Sequence, residues 1–113
     1  MAGGYQVVVT NDAQRDLKGI IEYLAEHASF EVAEKVRDGI EEELSGLSIM
    51  PQSKGLLRGI ESKFTYRRVY KWNYRIIFTI LESESLVLVI RIDHTKSDPS
   101  SLKNLPWYTF AKI

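Results

Sequence analysis

The apolar pattern of the chain predicts an α+β fold in the order β-α-α-β-β-β, a small antiparallel sheet with a helical hairpin packed on one face. Three observations carry that expectation. Two consecutive blocks between residues 13 and 47 repeat their apolar side chains at helical spacing. After a loop rich in turn formers, the period changes from 3.6 to 2. Ahead of the helices stands a short β-branched run, YQVVVT at residues 5–10, which reads as a strand.

The first helix follows from Ala13, Leu17, Ile20, Ile21, Leu24 and Ala28, which recur at helical spacing and place it over roughly 13–27. Asn11 or Asp12 offers its N-cap, since a short polar side chain accepts from the free N–H groups of the first turn. Ser29 can start the second helix, whose apolar face is Ala33, Val36, Ile40, Leu44 and Leu47, with Gly46 near its end. So short a connection makes the two helices a hairpin. Pro51, Gly55 and Gly59 mark 48–60 as loop. Residues 66–71 then alternate, 74–81 (YRIIFTIL) form a strong strand, and 86–92 (LVLVIRI) form another. Trp72-Asn73 is the candidate turn between the first two, Asn being suited to positive φ and Trp a poor choice for it. Glu82-Ser83-Glu84-Ser85 is a polar turn into the last strand. That strand is apolar on both faces until Arg91, so it should be central and buried.

The 113 residues make one domain, 1–113, large enough for a hydrophobic core without metal or disulfide staples. Residues 99–113 form an apolar C-terminal extension, in which Leu105, Trp107, Tyr108, Phe110 and Ile113 must cover the sheet, add a strand or meet another chain. An apolar share of 44% beside 27% charged residues is that of a soluble globular protein. No signal peptide and no run of eighteen apolar residues are visible, so a cytoplasmic protein with no membrane partner is expected. With no cysteine, and only His27 and His94, no metal site or cofactor is expected. The net charge is zero but unevenly spread. Residues 1–53 hold four basic side chains against ten acids, and residues 54–113 hold eleven against five. The basic half could meet a polyanion or an acidic partner, or the helices could simply be Glu-rich on their solvated face.

Candidate chemistry gathers in two places. TYRRVYKWNYRIIF (65–78) interleaves five aromatic rings with four cations, as single-stranded nucleic-acid readers do and as an ordinary half-buried hairpin also does. The last strand ends Arg91-Ile92-Asp93-His94-Thr95-Lys96, a crowd of ionisable groups where a buried strand reaches the surface. Counting by twos places Arg68 with Tyr66 and Tyr70, and Arg75 on the opposite face if no bulge intervenes. Metal-free cleavage of RNA at its own 2′-OH needs a base, cations for the phosphorane and an acid for the leaving oxygen. Arg68, Arg75, His94 and Lys96 could supply that set, with His94 the natural proton carrier. The plainer alternatives are a structural His94, an Arg75 paired with Asp93 or a helix carboxylate, and Tyr74, Ile76 and Phe78 in the core. His27 reads as a favourable charge at a helix C-terminus.

The fragments AQRDLKGIIEYLAEHAS, AEKVRDGIEEELSGL, MPQSKG, YRRVYKWNYRIIFTILE and VLVIRIDHTKSD run in this order over about residues 5–98. In that order and spacing the chain resembles the RelE/ParE superfamily of bacterial toxin–antitoxin toxins. The resemblance implies a cognate antitoxin as partner, a possible homodimer or heterotetramer with it, and one of two targets. RelE-like members cut messenger RNA on the ribosome and ParE-like members poison DNA gyrase. Arg68 matches one RelE-like basic position, with Arg for Lys, and Arg75 matches another. Tyr66 replaces a third, a fourth falls on Thr95 or Lys96, and Ser100 or Ser101 stands where a Tyr is expected. His94 matches a His found at the end of the last strand in related branches and in ParE-like sequences. The long hairpin containing EYLAEHASFEVAEKV and the zero net charge look more ParE-like, so gyrase is the expected target. RNA cleavage is the alternative, and an inactive antitoxin-binding module or co-repressor is the third reading.

Overall fold

The computed structural model describes residues 4–58 and 63–95. Lys96 and the apolar extension at 99–113 lie outside them. The elements are β1 (Gln6–Val9), α1 (Asn11–His27), α2 (Phe30–Gly46), β2 (Gly55–Leu56), β3 (Tyr66–Lys71), β4 (Tyr74–Leu81) and β5 (Leu86–His94). Single 3-10 turns stand at Pro51–Ser53 and Glu82–Glu84. The α+β expectation holds, and the sheet is mixed. Its order is β1-β5-β4-β3-β2, antiparallel throughout except that β1 lies parallel to β5. The parallel pair follows from the connectivity, because the helical hairpin carries the chain over one face and leaves β1 beside the last strand. The loop expected at 48–60 contains the two-residue edge strand β2, pairing Gly55 with Arg68 and Leu56 with Arg67.

Both helices are capped by hydroxyls. Ser29 accepts from the Val32 N–H at 3.0 Å, as its position suggested. For α1 the cap is Thr10 rather than Asn11 or Asp12. Thr10 Oγ1 accepts from the Ala13 N–H at 3.3 Å and donates to the Val89 carbonyl at 2.8 Å. A residue that closes a helix and a strand connection at once wins over its polar neighbours, which begin the helix instead.

The core has two layers. On the helix face, Ala13, Val36, Ile40, Leu44 and Leu47 pack against Ile76, Phe78, Val87, Val89 and Ile92. Phe78 is fully buried, worth about 1.5–3 kcal/mol by area. On the far face, Tyr66, Ile77, Leu86, Leu88 and Ile90 form a second cluster with Leu57 and Phe64 against it. β5 is buried on both sides, as its continuous apolar run required.

The β3–β4 turn is built against its local chemistry. Trp72 adopts φ 52° and Asn73, which would tolerate a positive φ, does not. A bulky residue held there costs roughly 1–3 kcal/mol. The indole lies over Gly39 in the middle of α2, where an added Cβ would stand 2.5 Å from two ring carbons. A glycine inside a helix costs about 1 kcal/mol relative to alanine. Both costs serve one contact, the ring on the helix.

Candidate functional site

The register of β4 against β5 decides which ionisable groups meet. Tyr74 pairs with His94, Arg75 with Asp93 and Ile77 with Arg91, but Phe78 then pairs with Val89. The extra residue is a bulge at Ile90–Arg91, and it inverts the alternation beyond it. Val87 and Val89 face the helices, and past the bulge so do Ile92 and His94. Without it, His94 would share the far face with Leu86, Leu88 and Ile90. Asp93 is thereby turned to the far face, opposite Arg75.

Arg75 and Asp93 form a bidentate pair. Nε donates to Oδ1 at 3.0 Å and Nη2 to Oδ2 at 2.7 Å, with the side chains 8% and 13% exposed. The hydrogen bonds to Asp93 raise the Arg75 pKa above its ordinary value, against the opposing pull of burial. Tyr70 stands directly across β3 from Arg75, so Arg68 and Arg75 share the far face. This corrects the expectation that Arg75 lies opposite Arg68. The two-residue turn pairs Lys71 with Tyr74, so even-numbered residues of β3 share a face with odd-numbered residues of β4, whereas counting by twos straight through the turn keeps even with even. The Arg68 guanidinium lies 5.1 Å from the Tyr70 ring centroid and against the backbone of Gly55, which has no side chain to displace it.

His94 stands on the other side of the sheet. Its ring meets Tyr74 edge-on, centroids 5.6 Å apart at 79°. Both border a cleft of about 440 Å³ between α1 and the ends of β4 and β5, with Arg15, Gly19 and Tyr23 on its helical wall. The four residues expected to act together are therefore not assembled among the described residues. Arg68 and Arg75 lie on one face, His94 on the other, and Lys96 is outside the described part.

Asp16 was not expected. From α1 it accepts from Arg91 Nε at 2.7 Å, from Arg91 Nη2 at 3.1 Å and from the Ile92 N–H at 2.9 Å. β1 pairs with β5 only as far as Val89, so beyond it the β5 edge needs another acceptor, and a helix carboxylate supplies one. Asp16 raises the Arg91 pKa by that hydrogen bonding, again against burial. The signal was legible: Asp16 sits on the inward stripe of α1, three residues after Ala13 and four before Ile20. Among the described residues no group of His, Cys, Asp and Glu could hold a metal ion, and no helix is long and apolar enough to cross a membrane.

Two helices across a five-stranded mixed sheet in this order define the fold of the RelE/ParE toxins. A chain of the chromosomal ParDE TA system from P. aeruginosa superposes with a TM-score of 0.67 at 22% identity, over 82% of this chain and 98% of that one. The toxin–antitoxin complex RelBE2 from Mycobacterium tuberculosis matches at 0.57 and 22%, over 83% and 94%. A substituted E. coli RelE toxin in the free state matches at 0.58 and 14%, over 88% and 93%. No curated protein matches the sequence. Residues 7–99 match the family described as the ParE toxin of the type II toxin-antitoxin system, parDE, and the chain belongs to that family.

Proposed function

We propose that this toxin arrests growth by acting on DNA gyrase in the cytoplasm, and that a cognate antitoxin neutralises it. The observation that carries the choice of target is the Arg75–Asp93 pair, with His94 turned to the opposite face. Nε and Nη2 of the guanidinium are taken up by Asp93, and no histidine stands on its side of the sheet among the described residues. An RNA-cleaving site needs free cations and an acid–base group converging on one phosphate. The ParE family match supports the same target. One feature favours the alternative, cleavage of messenger RNA on the ribosome: Arg68 and Arg75 share a face.

Purified toxin should inhibit gyrase supercoiling, and toeprinting of a translated messenger should show no new 3′ ends. Ribosome-dependent cuts without an effect on gyrase would reverse the assignment. Co-expression of the adjacent small open reading frame should relieve the arrest. A toxin whose expression never slows growth would leave only the inactive binding-module reading.

A further inference from the structure

We propose that Trp72 is the anchor of a protein-docking surface at the β3–β4 turn, and that its occupant is a segment of the target protein carrying a large apolar side chain beside carboxylates. The proposal rests on the growth-arrest reading above and names the surface through which it works.

The turn carries two local penalties, positive φ at a tryptophan and a glycine in mid-helix, yet the ring they hold stays 50% exposed. A turn closed by Asn-Gly, over an alanine in α2, would avoid both. Strain retained at an exposed position points to a use for the side chain. The indole is also rigid. Gly39 receives its edge, Lys71 Nζ lies 4.8 Å from its centroid and Lys35 Nζ 5.8 Å. Tryptophan is enriched among binding hot spots, and a ring already held in place loses little freedom on binding.

Beside the ring lies a cleft of about 290 Å³ lined by Val32, Lys35, Val36, Trp72, Asn73 and Tyr74. Val32 is 42% exposed at its mouth. Its size suits one large aliphatic or aromatic side chain. The charge at the rim selects the neighbours of that side chain. Lys35 pairs with no carboxylate among the described residues, and Lys71 has only the exposed Glu42 at 3.8 Å, a contact of little worth. Two ammonium groups around an apolar slot favour an acidic partner segment. They also fit a stacked nucleobase beside a phosphate, which the test must separate.

Trp72→Ala, Lys35→Glu and Gly39→Ala are each induced in cells without antitoxin, and each is purified as its antitoxin complex. Gly39→Ala keeps the indole but drives it off the helix, while giving α2 a better helix former. We expect all three to bind antitoxin like the wild type, with only a modest fall in melting where the ring's packing on α2 is lost, while the induction needed for arrest rises about tenfold or more. Unchanged arrest by Trp72→Ala would overturn the proposal. So would antitoxin binding, melting and arrest falling together, which is the mark of a purely structural ring. In a Trp107→Phe background, purified gyrase should shift the Trp72 fluorescence; a shift produced instead by a single-stranded oligonucleotide would make the surface a nucleic-acid platform and overturn the proposal. If the wild type arrests growth and leaves gyrase untouched, the gyrase reading fails, while the effect of the variants on arrest still judges the surface.

Discussion

The two ends of the sheet solve the same problem, closing a hairpin, with opposite chemistry. At the β4–β5 end the positive φ falls on Ser85, small and exposed, and the turn is held by side-chain hydrogen bonds in solvent. Tyr5 donates its hydroxyl to Glu82 at 2.7 Å, and Gln52 donates to both. At the β3–β4 end the positive φ falls on Trp72, and two arginine–aspartate pairs stand nearby, of which Arg75–Asp93 is largely removed from water. The first end is held by exposed polar contacts, though Met50 beside it also takes a positive φ of 47°. The second concentrates buried charge and open clefts in one region. That is where partner recognition is expected, because such costs persist only where the surrounding structure or a function holds them.

The largest effect should come from Asp93→Ala. It leaves the Arg75 guanidinium, 8% exposed, with no counter-charge across the strand. Breaking one side of a buried pair costs about 3–5 kcal/mol, whereas replacing both partners by apolar residues of similar volume is close to neutral. Urea unfolding should therefore show a severe loss for Asp93→Ala and recovery of most of it in Arg75→Met/Asp93→Leu. A loss below about 1 kcal/mol would mean that water reaches the pair, and the contrast between the two ends would weaken.

Asp16→Ala should come next. It removes the carboxylate that pairs Arg91 and accepts from the Ile92 N–H, but Arg91 is 31% exposed and can find water. The expected loss is about 1–3 kcal/mol. Amide exchange locates it: the Ile92 N–H should lose protection selectively, while amides at the β4–β5 end keep theirs. Uniform acceleration at both ends would indicate global destabilisation and no local clamp.

How far this could be read from the sequence differs between the two ends. Hydrophobic period placed both helices, β3, β4 and β5, because each long element buries one face or both and its apolar residues must recur at the pitch of the backbone. The α2 cap at Ser29 and both turns were legible for the same local reasons. The bulge at Ile90–Arg91 was not. A run of Leu, Val and Ile is apolar on either parity, so nothing in LVLVIRIDH marks where the alternation inverts, and the placing of Asp93 and His94 depends on it. Parity across Trp72-Asn73 failed similarly, being set by cross-strand pairing and not by counting. Gly39 and Asp16 did leave traces: a glycine within a helical run and a carboxylate on an apolar stripe each ask for a partner from elsewhere in the fold.

The smallest effect belongs to the exposed end, and its pH dependence gives it a sign. The Tyr5 hydroxyl, then Gln52, hydrogen-bond the Glu82 carboxylate and hold its pKa below the ordinary carboxylate value. A folded-state pKa below the unfolded one means a contribution fully present above the unfolded value and lost as pH falls through the folded one. The same bond raises the Tyr5 pKa, so the tyrosine's share is present below its ordinary value near 10 and lost as pH rises through the folded one. Glu82→Gln should thus melt slightly below the wild type near neutral pH, and the gap should close on acidification below the carboxylate range. The gap should also close at strongly alkaline pH, where the ionised phenol no longer donates. A melting difference that persists unchanged at low pH would assign Glu82 a role in turn geometry instead of in this hydrogen bond. The two ends would then differ less in chemistry than in degree of burial.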